Sequence, residues 1–287
     1  LIKSIYFDVG NIIINEDILR FKFYEILWFN LRKYDQKWTF DYLMEMRENL
    51  VEKIGDPTPY LTIAREFLNP NDLHSFNYQI KYFTDKHKER YLRQIPGIGF
   101  VIRNLHRHFK LGIIATHSLF LMDLFKKYRL TLFFDVIITE DYRKEKESPR
   151  QYFVRALDKM KTEPGRAIMI GDRIDKNILP AKEVGMRTIL ARFTTKAKGI
   201  FPQNDREKRF YRSLETHPPW RQRPRNRREL PTAIVESPEE ILKIVEEMEF
   251  ASGALESEAE IEPELSIWDI IKEIAAGEEE IKPREEL

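Results

Sequence analysis

Four polar residues stand where phosphoryl chemistry would need them. Asp8 follows the apolar run Ile2–Phe7, Thr116 follows Leu111–Ala115, and Asp172 comes one glycine after Ala167–Ile170. Lys146 lies a few residues beyond Val136–Thr139, just before a helix-forming stretch that opens at Pro149. A carboxylate can attack phosphorus and a second can hold Mg2+, while a hydroxyl and an ammonium stabilise the phosphoryl oxygens. The chemistry works only if one edge of a fold collects all four.

The intervening sequence supplies such a fold. Each apolar run is strand-length and β-branched, and each is followed by a stretch of helical periodicity. The pattern predicts helices over Gly99–Phe109, Leu119–Tyr128, Pro149–Lys161 and Ile178–Val184, then strands over Thr188–Ala191 and Ala233–Val235, and a last helix over Pro238–Glu249 begun by Ser237. Alternation of this kind means an α/β fold, a doubly wound parallel sheet in three layers. Ligands sit at the carboxyl ends of the strands in such sheets. Residues 16–95 read differently, as about four helices broken at Asp56-Pro57 and Asn69-Pro70-Asn71-Asp72. The expected organisation is a core of residues 1–15 and 96–250 with a helical cap of residues 16–95 inserted after the first strand. The cap aromatics Phe21, Phe23, Tyr24, Trp28, Phe29, Trp38 and Phe40 fall at helical spacing, which favours core over pocket.

Composition narrows the class. The 287 residues are 42% hydrophobic and contain no cysteine, which excludes disulfides and thiolate metal sites and fits a cytoplasmic protein. No run approaches the ~20 apolar residues of a membrane span, so no membrane partner is expected. The net charge of +1 conceals two opposed blocks. Residues 196–229 carry eleven Lys/Arg against four Asp/Glu, and residues 236–287 carry eighteen Asp/Glu against four Lys/Arg. The basic block, at about 194–230, reads as an extended solvated loop, with Trp220 to Arg228 its most basic part. Docking to the acidic tail or to a protein partner fits it better than nucleic acid does. Residues 251–287 read as a disordered acidic tail. Within it Leu265, Trp268, Ile271 and Ile274 make one helical stripe over residues 265–274, a docking element for a partner.

Taken together, FDVGNII at 7–13, GIIATHS at 112–118, KESPRQYF at 146–153 and GDRIDKNILPAKEVGM at 171–186 resemble the four motifs of the haloacid dehalogenase-like superfamily, in its order and spacing. The helical insert lies where that family carries a helical cap. The resemblance implies a HAD-like Rossmannoid core and a phosphatase acting on a small phosphorylated metabolite. Asp8 would form an aspartyl-phosphate, Thr116 and Lys146 would bind phosphoryl oxygens, and Mg2+ would be held by Asp8, the Gly10 carbonyl and Asp172. Asn11 and His117 are candidate substrate contacts, and Asp175 and Asn177 candidate supports of the metal ligands. Lys144 stands close enough to Lys146 to compete for its role. A dehalogenase fits less well, since that reaction needs no metal.

Three positions depart from the family pattern. Gly10 replaces the Asp that protonates the leaving group, a function worth roughly 10²–10⁴-fold. Asn177 stands where another Asp is frequent, and Glu147 where Pro is usual. Either the substrate has a good leaving group, such as an acyl or glycosyl phosphate, or activity is weak. The alternative is a weakened HAD-like protein that binds or regulates through its basic loop and acidic tail.

Overall fold

The computed structural model describes residues 1–115, 121–139 and 148–260. Thr116, His117, Lys144, Lys146 and the stripe at 265–274 lie outside the described residues. Ile2–Glu246 form one compact unit; Leu1 and the residues from Glu247 onward are a second, represented by the distal part of the last helix.

Strand β1 (Ser4–Phe7) is the heart of the sheet and is buried along its whole length. It pairs in parallel with β4 (Lys110–Ile114) on one side and β6 (Ala167–Gly171) on the other. Beyond them lie β5 (Val136–Ile138), β7 (Arg187–Ala191) and β8 (Ala233–Val235), in the order β5-β4-β1-β6-β7-β8, all parallel. The strand is flanked on both edges and both faces, so all four residues are buried, and the Tyr6 hydroxyl is satisfied within the core by donating to the Ala156 carbonyl. Tyr6 joins a core formed with α7 (Pro149–Met160) and α8 (Leu179–Glu183). Phe7, its neighbour on the other face, meets Phe134, which stacks on Phe125 of α6 (Leu121–Lys127). Helix α5 (Ile98–Leu105) precedes β4 and α10 (Glu240–Glu260) follows β8; α10 runs beyond the expected end at Glu249.

The helices α1 (Asp17–Leu31), α2 (Phe40–Ile54), α3 (Pro59–Phe67) and α4 (Pro70–Tyr91) lie between two short antiparallel strands, β2 (Ile14–Asn15) and β3 (Arg93–Gln94). Phe21, Tyr24, Trp38 and Phe40 are buried at their centre, as the spacing predicts, whereas Phe29 is exposed.

The segment after β7 overturns the expectation of an extended basic loop. Residues Asp205–Thr216 form helix α9, capped by Asn204, whose side chain accepts the Glu207 N–H. Its Phe210 and Tyr211 enter the core of the helical insert, with Phe210 centred 5.5 Å from Phe21 and 5.3 Å from Tyr24. Its positive charge is spent on the insert's own acids: Arg209 grips Glu48 with two hydrogen bonds, and Arg206 pairs with Glu25. Charge that looks solvated in the sequence is neutralised by residues more than 150 positions away. The stretch that follows also turns inward, since the Arg221 carbonyl accepts the Ile174 N–H at 3.0 Å and buried Glu229 holds the Arg221 guanidinium. Arg223, Arg225, Arg227 and Arg228 remain exposed.

Arg47 of α2 anchors this arrangement. It is 1% exposed and donates to the Ser213 carbonyl and hydroxyl and to the His217 carbonyl. Arg47→Met keeps the aliphatic bulk and strands those acceptors, so it is expected to cost about 2 kcal/mol, read as a lower urea midpoint at unchanged slope.

Candidate active site

The β1–β6 ladder brings the two acids together. Phe7 is in register with Ile170, and the Asp8 N–H continues the ladder to the Ile170 carbonyl at 2.9 Å. Asp8 therefore emerges beside Gly171 and Asp172, and both acids are buried, at 5% and 4% exposure. One Asp8 oxygen accepts the Val9 N–H at 2.7 Å and the other accepts Asn177 Nδ2 at 2.9 Å. Burial, and then the facing Asp8 carboxylate, push the Asp172 pKa well above the usual carboxylate range, against the pull of Lys198 and Arg20.

Asn177 thus touches the candidate nucleophile itself. It lies on a single π-helical turn, Ile174–Ile178, and its Oδ1 accepts the Arg173 N–H at 3.0 Å, which fixes the amide so that Nδ2 points at Asp8. Gly171 makes room for it: a Cβ there would fall 2.4 Å from the Asn177 side chain. Asp175 is directed elsewhere. It pairs with Arg173 at 2.8 Å, and after burial, which raises its pKa, that hydrogen bond and charge hold the carboxyl below its ordinary value.

Gly10 and Asn11 shape the loop after β1. Asn11 adopts φ 55°, a left-handed conformation that Asn tolerates better than most residues, and its N–H bonds the Ile14 carbonyl. Its side chain is buried and turned toward α1, donating to Asp17 at 3.3 Å and accepting the Glu16 N–H at 3.2 Å. The expected substrate contact at Asn11 is thus a brace between the loop and the helix that follows.

Three residues that the sequence reading passed over complete the surroundings. Asp17, at the start of α1, is buried and receives Lys198 Nζ at 2.7 Å and Arg20 at 3.0 Å. Burial pushes its pKa up, but the two cations outweigh it and hold the carboxyl low. Lys198 sits on the segment after β7, where the Asn15 amide donates to its carbonyl. Both cations act on the charge of Asp172 as well. A Lys inside a basic block gives no sequence signal for this role; an Asp at a helix start reads as a simple end effect.

Among the described residues no group of three or more acidic, His or Cys side chains converges. Two buried carboxylates suit Mg2+, which takes one or two carboxylates and keeps several waters. Among the described residues no helix is long and apolar enough to cross a membrane.

A family model for haloacid dehalogenase-like hydrolases matches residues 5–191, and the chain belongs to that family. It is 27% identical over 193 residues to a glyceraldehyde 3-phosphate phosphatase of Pyrococcus furiosus, covering 66% of this chain and 80% of the relative. It is 25% identical to a pyrophosphatase of Anoxybacillus flavithermus, covering 53% and 70%. A HAD-superfamily hydrolase of subfamily IA from Geobacter sulfurreducens superposes with a TM-score of 0.55 at 14% identity, covering 85% of this chain and 96% of that one. The family match ends at β7, so the segment carrying α9 and Trp220 lies outside it.

Proposed function

We propose that this hydrolase is a Mg2+-dependent phosphatase that acts on a small phosphorylated substrate through an aspartyl-phosphate on Asp8. The observation that carries the reading is the buried Asp8–Asp172 pair at the carboxyl edge of β1 and β6. The phosphatases and pyrophosphatases among its relatives support the same reaction class. Asp8, the Gly10 carbonyl and Asp172 would hold the ion, which when bound supplies charge neutralisation for the phosphoryl oxygens. Asn177 and the Val9 N–H orient the Asp8 carboxylate for attack on phosphorus. Thr116 and Lys146, by their place in the family motifs, would bind the phosphoryl oxygens. Water then hydrolyses the acyl phosphate and returns Asp8 to the carboxylate form.

Gly10 offers no proton to the departing oxygen, which favours substrates whose leaving group departs as an anion. Assays with a panel of acyl, glycosyl and alkyl phosphates, with Mg2+ or with EDTA, test the proposal. Turnover is expected with Mg2+, fastest for the best leaving groups, and loss of at least ~10²-fold with EDTA. Equal rates in EDTA would refute the metal, and no turnover on any ester by folded protein would favour the binding reading.

A further inference from the structure

We propose that the site takes a phosphate monoester of a phenol, with its single aromatic ring held in a cavity that the segment after β7 roofs with Trp220. This rests on the phosphatase reading. A cavity of about 320 Å³ lies between α1, α3 and that segment. Phe23, Tyr24, Tyr60, Phe210 and Trp220 put five aromatic rings in its walls, with Leu214 beside them. Two of its lining residues stand close to the reaction centre: Arg173 follows Asp172 in the chain, and the Arg20 charge acts on Asp172.

The charges in the cavity are already engaged. Arg20 bonds Asp17 and Glu16, Arg47 bonds Ser213 and His217, and Arg173 bonds Asp175. Arg20 and Arg173 are thus paired with acids and buried Arg47 is held by backbone and hydroxyl oxygens, so a second anionic group would have to break one of these contacts, which argues against a bisphosphate or a phosphorylated acid. The Arg20 guanidinium lies over the Trp220 ring, 4.4 Å from its centroid, and fixes the roof. The Trp220 indole N–H is buried with no acceptor among the described residues, leaving one donor for an oxygen on the ligand.

The chemistry at Gly10 points the same way. A phenolic oxygen has a pKa of about 10, as in tyrosine, and departs as an anion far more readily than an aliphatic alkoxide. Asp8 Oδ attacks phosphorus, the P–O(aryl) bond breaks, and its electron pair leaves on the phenolate, which takes a proton from solvent. Water then cleaves the acyl phosphate to inorganic phosphate.

The test is binding of benzylphosphonate and methylphosphonate to the full chain by calorimetry with Mg2+, for wild type, Trp220→Ala and Phe23→Ala, each checked for a cooperative melt. Wild type is expected to bind benzylphosphonate at least tenfold more tightly, and either variant to bring that ratio close to one. Equal affinities in wild type, binding of neither compound, or an unchanged ratio in both variants would overturn the proposal. Hydrolysis separates it from the phosphatase reading. A protein that discriminates as expected yet turns over neither phenyl phosphate nor acetyl phosphate keeps the cavity and loses the phosphatase. One that hydrolyses glycerol 3-phosphate as fast as phenyl phosphate does the reverse.

Discussion

Asp8→Asn is expected to lower turnover of any phosphate ester by ~10⁴-fold or more while leaving the fold intact. An amide is a far poorer nucleophile than a carboxylate, so the covalent step is lost. The side chain keeps its shape and its oxygen accepts from either Val9 N–H or Asn177, while the new amide NH2 faces the other donor, so one hydrogen bond worth about 1 kcal/mol is lost and the removal of a buried like charge offsets it. Removing the Asp8 charge also relieves Asp172, whose pKa Asp8 helps to raise. The variant should therefore melt no lower than wild type at neutral pH. Acid-quenched mixing with substrate should trap a protein-bound phosphoryl group in wild type and none in the variant. Activity within tenfold of wild type would remove Asp8 from the chemistry.

The two acids could be found in the sequence because each ends an apolar run, and a parallel sheet sends such residues to one edge whatever the details of packing. Their partners could not be found that way. Asn177 looks like a lost Asp when read along the chain. In the structure it donates to Asp8 from 169 positions away, a contact set by the β1–β6 register and the wide turn after β6. Lys198 reaches Asp17 across 181 positions, and no local pattern encodes that distance.

The structure of the segment between β7 and β8 is hidden in the sequence for a related reason. Its mean composition is basic, and composition averages away the stripe of Phe210, Tyr211 and Leu214. The stripe becomes meaningful only beside α1 and α2, whose Glu25 and Glu48 neutralise Arg206 and Arg209. The apolar residues of the four-helix insert had no such difficulty, because α1 to α4 bury one another within a continuous stretch of chain.

Asn177→Asp should expose the electrostatic balance of the site. The change restores the acid frequent in the family motif but puts a carboxylate where an amide now donates to Asp8 at 2.9 Å. Three buried acids would then face one another with a hydrogen bond lost, at a cost of roughly 3–5 kcal/mol when all are ionised. The sign with pH follows from Asp172. Its folded-state pKa is raised, so between the ordinary carboxylate value and the raised one the folded protein binds more protons than the unfolded chain. Its contribution therefore falls as pH rises through that interval and is fully retained below it. Metal-free wild type should melt lower at pH 8 than at pH 5.5 on this account, and Asn177→Asp should steepen the trend. Mg2+ reverses it, because the ion binds the ionised acids and is displaced by protons. The gain in melting temperature on adding Mg2+ should be larger at pH 8 than at pH 5.5, and larger in Asn177→Asp than in wild type. Melting curves at the two pH values, with Mg2+ and with EDTA, decide the matter. A variant as stable as wild type in EDTA at pH 8 would mean that Asn177 does not separate the charges of the pair.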